Sequence, residues 1–121
     1  MHPPLFDICS AYAPLVALLG TDPVRLWPFG SVPQGESRPY AVWQTTYGAP
    51  DNLLNQRPLL DRWGIQVDAY AKTASEAREV ARAIRDAIEG DAYIVAWNGE
   101  FRDPPTNLYR YSFAIEFMTP R

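Results

Sequence analysis

Residues 62 to 90, RWGIQVDAYAKTASEAREVARAIRDAIEG, change hydrophobic period midway, and that change constrains the fold more than any other feature of the chain. In the first ten residues Trp63, Ile65, Val67 and Ala69 alternate with Arg62, Gln66, Asp68 and Tyr70, the period-two pattern of a half-buried strand. From Thr73 onward Ala77, Val80, Ala81, Ile84 and Ile88 recur every three or four residues, which predicts one apolar stripe on a helix. Thr73 and Glu76 stand at capping-box spacing, and Gly90 is a natural stop. Arg78, Glu79, Arg82, Arg85, Asp86 and Glu89 fall largely on the outer side, with Glu79 near Arg82 as a helpful pair.

The rest of the chain supplies partners for this strand and helix. PPLFDICSAYAPLVALLG carries Leu5, Ile8, Cys9, Tyr12, Val16 and Leu19 at helical spacing, interrupted by Pro14, so a kinked helix or two short ones ending at Gly20 are expected. VRLW, 24–27, reads as a short extended piece. Two prolines and a glycine then stiffen the loop VPQGESRP ahead of YAVWQTT, 40–46, a strand that Pro39 opens without loss of a ladder donor. Residues 47–61, YGAPDNLLNQRPLLD, are expected to form a long connecting loop, too long for a tight hairpin. In 92–103, AYIVAWNGEFRD, an apolar run is followed by Asn98-Gly99, a strong hairpin-turn signal, and NGEFRDPPTNLYR is expected as a hairpin or a projecting loop. Finally, NLYRYSFAIEFM alternates Tyr109, Tyr111, Phe113, Ile115 and Phe117 against Arg110, Ser112, Ala114 and Glu116, the pattern of a long central strand. The order α–(β)–β–β–α–β–β favours an α+β fold: a two-layer sandwich with a mainly antiparallel sheet and the helices packed on one face.

With 121 residues, one domain spanning 1–121 is expected. The twelve prolines, about twice the usual share, fall in clusters and so mark loops and not one disordered tract. A net charge of −3, with Lys72 as the only lysine and the arginines scattered, argues against a grip on nucleic acid. The single cysteine, Cys9, cannot form an internal disulfide and is expected as a small core residue. There is neither an apolar run long enough to span a membrane nor a basic signal-peptide start, so a soluble, intracellular chain is expected.

Catalytic chemistry finds little to work with. His2 is the only histidine and sits at the terminus, where an ordered triad is not expected. One Cys and one His cannot build a usual zinc site, and glycine-rich phosphate loops are absent. Carboxylates such as Asp51, Asp61, Asp68, Asp91, Glu100, Asp103 and Glu116 show no pairing in the sequence; Asp68 and Glu116 are placed to neighbour arginines such as Arg62 or Arg110. No enzyme, metal or cofactor is therefore expected. The aromatic residues exceed what one thin core can use. Together with Leu53, Leu54, Leu59 and Leu60 they point to burial against a partner subunit.

The segments LVALLG, VRLWPFGSVPQG, PYAVWQ and RWGIQVDAYAKTASEAREVARAIRDAI, in that order, resemble the small tail-completion proteins of tailed bacteriophages, a family related to the tail-terminator proteins of siphophages. The resemblance spans nearly the whole chain and is most specific in VPQG…PY and QVDAYAKTASEA. It implies a ring, commonly of six copies, on the head-proximal end of the tail tube. Such a ring stops polymerisation of the major tail tube protein and joins the head-tail connector, while DNA passes through its lumen without sequence-specific binding. The implied location is the virion tail, after assembly in the host cytoplasm. By this analogy contacts fall in the 32–39 loop at Gln34 and Arg38, and in 47–61 at Tyr47, Asp51, Leu53, Leu54 and Arg57. A head-completion or neck adaptor ring is the alternative within virion assembly. A monomeric cellular module for a small ligand or peptide is the alternative outside it.

Overall fold

A computed structural model describes residues 3–121. Among them the elements are α1 (Leu5–Ser10), α2 (Ala13–Leu19), β1 (Leu26–Pro28), β2 (Tyr40–Pro50), β3 (Leu60–Ala71), α3 (Ala74–Ile88), β4 (Ala92–Asp103) and β5 (Leu108–Pro120). The five strands form one sheet in the order β1-β2-β3-β5-β4. Every pairing is antiparallel except that of β1 with β2. The helices pack on one face, so the α+β sandwich expected from the sequence is the architecture found.

The alternation in β3 and β5 sets this arrangement. In register, Ile65 lies opposite Ile115, Val67 opposite Phe113 and Trp63 opposite Phe117. These side chains share the face that meets Val80, Ile84 and Ile88 of α3 and Leu5, Cys9, Leu15 and Leu19 of the first two helices. Pro14 does divide the N-terminal segment: it occupies the first turn of α2, where its missing N–H costs nothing, while Tyr12 is extended. Thr73 caps α3, its hydroxyl accepting from the Glu76 amide at 3.1 Å. On the outer side of that helix Arg78 reaches across to Glu100 of β4, and Arg85 pairs with Asp86 and Glu89. The expected Glu79–Arg82 pair is not among the ion pairs of the described residues. Cys9 is buried, and burial pushes its thiol up to about 12. The terminal His2 lies outside the described residues.

Two expectations are corrected. The 47–61 stretch is not a long loop: β2 continues to Pro50 and β3 begins at Leu60, leaving 51–59 as the connection. A bulge between Thr45 and Tyr47 lets β2 continue, and Tyr47 and Gly48 then pair with Gly64 and Trp63. Gly64 is needed there because a Cβ would overlap the Tyr47 ring, which lies across it. Likewise Asn98-Gly99 is not a turn. It falls inside β4 at a bulge between Trp97 and Gly99, where Gly99 takes φ 110°. The turn comes at 104–107, with Asn107 at φ 59° and its amide donating to Asp103 O at 2.7 Å. Cross-strand pairing of Phe101 and Arg102 with Arg110 and Tyr109 outweighs the local Asn-Gly preference.

Candidate functional site

The fold leaves three kinds of surface free of its own helices: the two ends of the sheet, and the open face between them. The residues expected to make contacts do not gather at one place. Gln34 and Arg38 lie at the end where β2 begins. Asp51, Leu53, Leu54 and Arg57 lie beyond the end where β2 finishes. Tyr47 sits between them, on the open face and within a strand. Since β2 spans Tyr40–Pro50, the two groups are separated by about 33 Å along the strand.

At the first end, the 32–39 loop and the 104–107 turn border a cleft of about 530 Å³ with Gln34, Glu36, Tyr40, Pro105 and Thr106 among its lining residues. The loop is tied down by side-chain hydrogen bonds. Glu36 accepts from Arg38 Nε and Nη2, each at 2.9 Å, and from the Arg38 amide at 3.0 Å. Arg25 ties its end to the helical layer, donating to Pro39 O at 2.8 Å and to Leu18 O near the end of α2 at 3.0 Å. Across the cleft, Arg102 donates to Asn107 Oδ1 at 2.7 Å and stacks over Tyr109, while Thr106 donates to Asp103 at 2.6 Å. Hydrogen bonding to Arg38 holds the Glu36 carboxyl down at about 2. A depressed carboxylate stabilises the fold above its unfolded value, near 4.5, and that contribution disappears as pH falls through about 2. The protection factor of the Arg38 amide, its exchange rate taken relative to the intrinsic rate at each pH, is therefore expected to fall as pH drops between these values. Glu36→Gln is expected to exchange fast at neutral pH already, with the acid-dependent step removed.

The opposite end presents exposed leucines among polar residues. Leu53 and Gln56 form an isolated bridge, and Asn55 between them takes φ 64°, closing a small turn that puts Leu54 at its tip. Leu54 is 90% exposed and Leu59 65% exposed. Beneath the tip, Asp51 N–H donates to Leu60 O at 2.9 Å, Arg121 N–H donates to Leu59 O at 3.1 Å, and the Arg121 guanidinium lies 3.5 Å from Asp61. These bonds support two leucines that the protein itself leaves in water. Arg57, also exposed, has no ion-pair partner among the described residues.

On the open face, Tyr47 donates its hydroxyl to Glu116, and that bond raises its pKa. Tyr40 and Tyr70 stack with centroids 4.8 Å apart, and Arg110 lies over Phe101 at 4.9 Å. Asp68 is only 9% exposed and accepts from Gln66 Nε2 at 3.2 Å, with Arg110 close enough to interact electrostatically. Asp68 thus neighbours Arg110, as its strand position predicts, but among the described residues neither Asp68 nor Glu116 forms an ion pair with an arginine, their hydrogen bonds going to Gln66 and Tyr47 instead. The exposed apolar residues Tyr93 and Val95 of β4 were not among the expected contact residues. Their only signal was an apolar run, AYIVAW, which a buried strand would equally show. Among the described residues no cluster of His, Cys, Asp and Glu could hold a metal, and no helix is long and apolar enough to cross a membrane.

Comparison with known proteins places these surfaces in context. The family model described as tail completion protein gp17 matches residues 3–119. No curated protein matches the sequence. Among solved structures, a chain from the virion of a native gene transfer agent (GTA) particle is similar with a TM-score of 0.70 and 16% identity, over 97% of this chain and 92% of that one. At that identity the likeness is one of fold.

Proposed function

The chain belongs to the tail completion protein gp17 family, and from that premise we propose that this structural protein of the phage tail acts as a ring. The ring caps the head-proximal end of the tail tube, stops its polymerisation and offers its other side to the head connector, with DNA passing through the lumen. The observation that carries this reading is the separation of two unlike, internally braced surfaces at opposite ends of one sheet. If the strands run roughly along the ring axis, one end meets the tube and the other the connector. Preorganised ends lower the ordering cost of joining two assemblies, which suits the Glu36–Arg38 clasp and the braced Leu54 turn. Gln34 and Arg38 then serve one axial partner. Asp51, Leu53, Leu54 and Arg57 serve the other, and Tyr47 faces neighbouring material from the sheet. Ring closure needs only a head-to-tail contact whose rotation closes. Contact chemistry of this kind requires no catalytic group, and the protein acts by binding alone.

The test is to add purified tail tubes to the protein and follow it by light scattering and negative-stain imaging. Rings of this chain, on tube ends or free, together with tubes that no longer elongate, are the expected result. Binding to connector rings without any effect on tubes would replace this reading with that of a neck adaptor. A chain that stays monomeric and leaves tubes growing would overturn both.

A further inference from the structure

The two sides of the sheet are as unlike as its two ends, and they are matched to each other. At one side β1 covers β2 only from Ala41 to Trp43, with Phe29 N–H donating to Trp43 O at 2.8 Å as the last bond. From Gln44 to Pro50 the outer edge of β2 has no strand beside it. At the other side β4 is an edge strand throughout. Its residues 92–103 include neither lysine nor proline, two usual guards of an exposed edge, and they present Tyr93 at 64% and Val95 at 58% exposure.

The register across the sheet puts these two bare edges at the same level. Tyr47 lies opposite Gly64, Gly64 opposite Glu116, and Glu116 opposite Tyr93. In the next row on the same face come Gln44, Gln66, Ala114 and Ala96. Gln44 to Gly48 of the uncovered half of β2 are therefore level with Ala92 to Ala96 of β4, while Ala49 and Pro50 extend beyond the start of β4. Strand direction matches too. With β2 antiparallel to β3, β3 to β5 and β5 to β4, β4 runs opposite to β2. Rotation about an axis along the strands preserves direction, so β4 of one copy meets β2 of the next antiparallel, the commoner pairing. Above this level β1 blocks β2 and the bulge after Trp97 interrupts β4; within it each edge carries one bulge, at Thr46 in β2 and at Val95 in β4, on either side of the row Thr45–Ile65–Ile115–Ile94.

We propose that the occupant of each bare edge is a second copy of this chain: residues 92–96 of β4 in one copy add to Gln44–Gly48 of β2 in the next, forming a sheet continuous around the ring. This rests on the ring reading above. It brings Tyr93 of one copy beside Tyr47 of its neighbour, an aromatic cross-strand pair that extends the Tyr47–Glu116 row from copy to copy. The contact is heterologous, so it builds a ring where its rotation closes and does not make a two-fold dimer.

Cysteine pairing tests the proposal, and Cys9 leaves a clean background because it is buried with its thiol held protonated. Gln44→Cys and Ala96→Cys place thiols on half-buried, level positions of the open face. Tails purified from infected cells that supply only the double variant are treated with an oxidant, or with a flexible bis-maleimide that spans a small register shift. A ladder of covalent multimers of this chain is expected, with none from either single variant. Cross-linking by Ala96→Cys alone, or adducts only to another tail protein, would overturn the edge pairing. So would several copies per tail with no ladder, although the ring itself would stand. A single copy per tail by quantitative mass spectrometry would overturn the ring reading, and the pairing with it.

Discussion

Replacing both tip leucines, Leu54→Asp with Leu59→Asp, is expected to abolish tail completion while leaving the isolated protein folded. Both side chains are largely in water already, so their loss removes almost no buried area from the fold, and the change in stability should stay within about 0.5 kcal/mol. At an interface the same leucines would be desolvated against a partner, and two introduced carboxylates would have to be buried or left apart. Losing apolar anchors of this kind costs about 2–4 kcal/mol, roughly 30- to 1000-fold in affinity. The measurement is a pair: thermal unfolding of the purified variant, and its ability to rescue infectious particles when the wild-type protein is withheld. An unchanged midpoint with little or no rescue is the expected outcome. Full rescue would show that the tip is not a contact, whatever the rest of the ring does.

The second large effect lies in the core. Phe113→Ala is expected to destabilise the protein by about 3–5 kcal/mol, a large part of the total stability of a domain of this size. Phe113 is fully buried on β5, opposite Val67, and its ring lies 5.2 Å from that of Trp97 on β4. Removing it leaves a cavity where β3, β4 and β5 all meet the helical layer. The midpoint should drop by about 12–20 °C, taking roughly 4 °C per kcal/mol for a chain of this length. Tyr93→Ala, an aromatic truncation on the exposed edge, is the control and should cost about 0.5 kcal/mol or less. Equal losses for the two would mean that the edge is part of the folding core and not a surface held for a neighbour.

These two predictions separate what is legible in the amino-acid order from what is not. The identity of the inward faces is legible because a period-two strand beside a 3.6-period helix allows only one way to bury both apolar sets. Ile65, Val67, Phe113, Ile115 and the Val80–Ile84–Ile88 stripe all point inward as their spacing requires. The division of the first helix by Pro14 and the Thr73 cap are equally local, each depending on one residue and its near neighbours.

What the chain does between elements depends on contacts distant in sequence. Tyr47-Gly48-Ala49-Pro50 has the composition of a loop, yet it is a strand because Gly64 and Trp63, across the hairpin, give it a place to lie. Asn98-Gly99 carries strong local turn chemistry, yet becomes a bulge because the flanking residues of β4 find partners along β5. The candidate contact residues could be picked out by loop position and apolar content, but not their division between two ends of one sheet. The match of the two bare edges is more remote still, since it runs through three successive strand registers from Tyr47 to Tyr93. Alternation and caps are properties of neighbouring residues and so are written in their order. Register, level and edge exposure arise only when strands far apart in the chain lie side by side, and tertiary packing alone decides them.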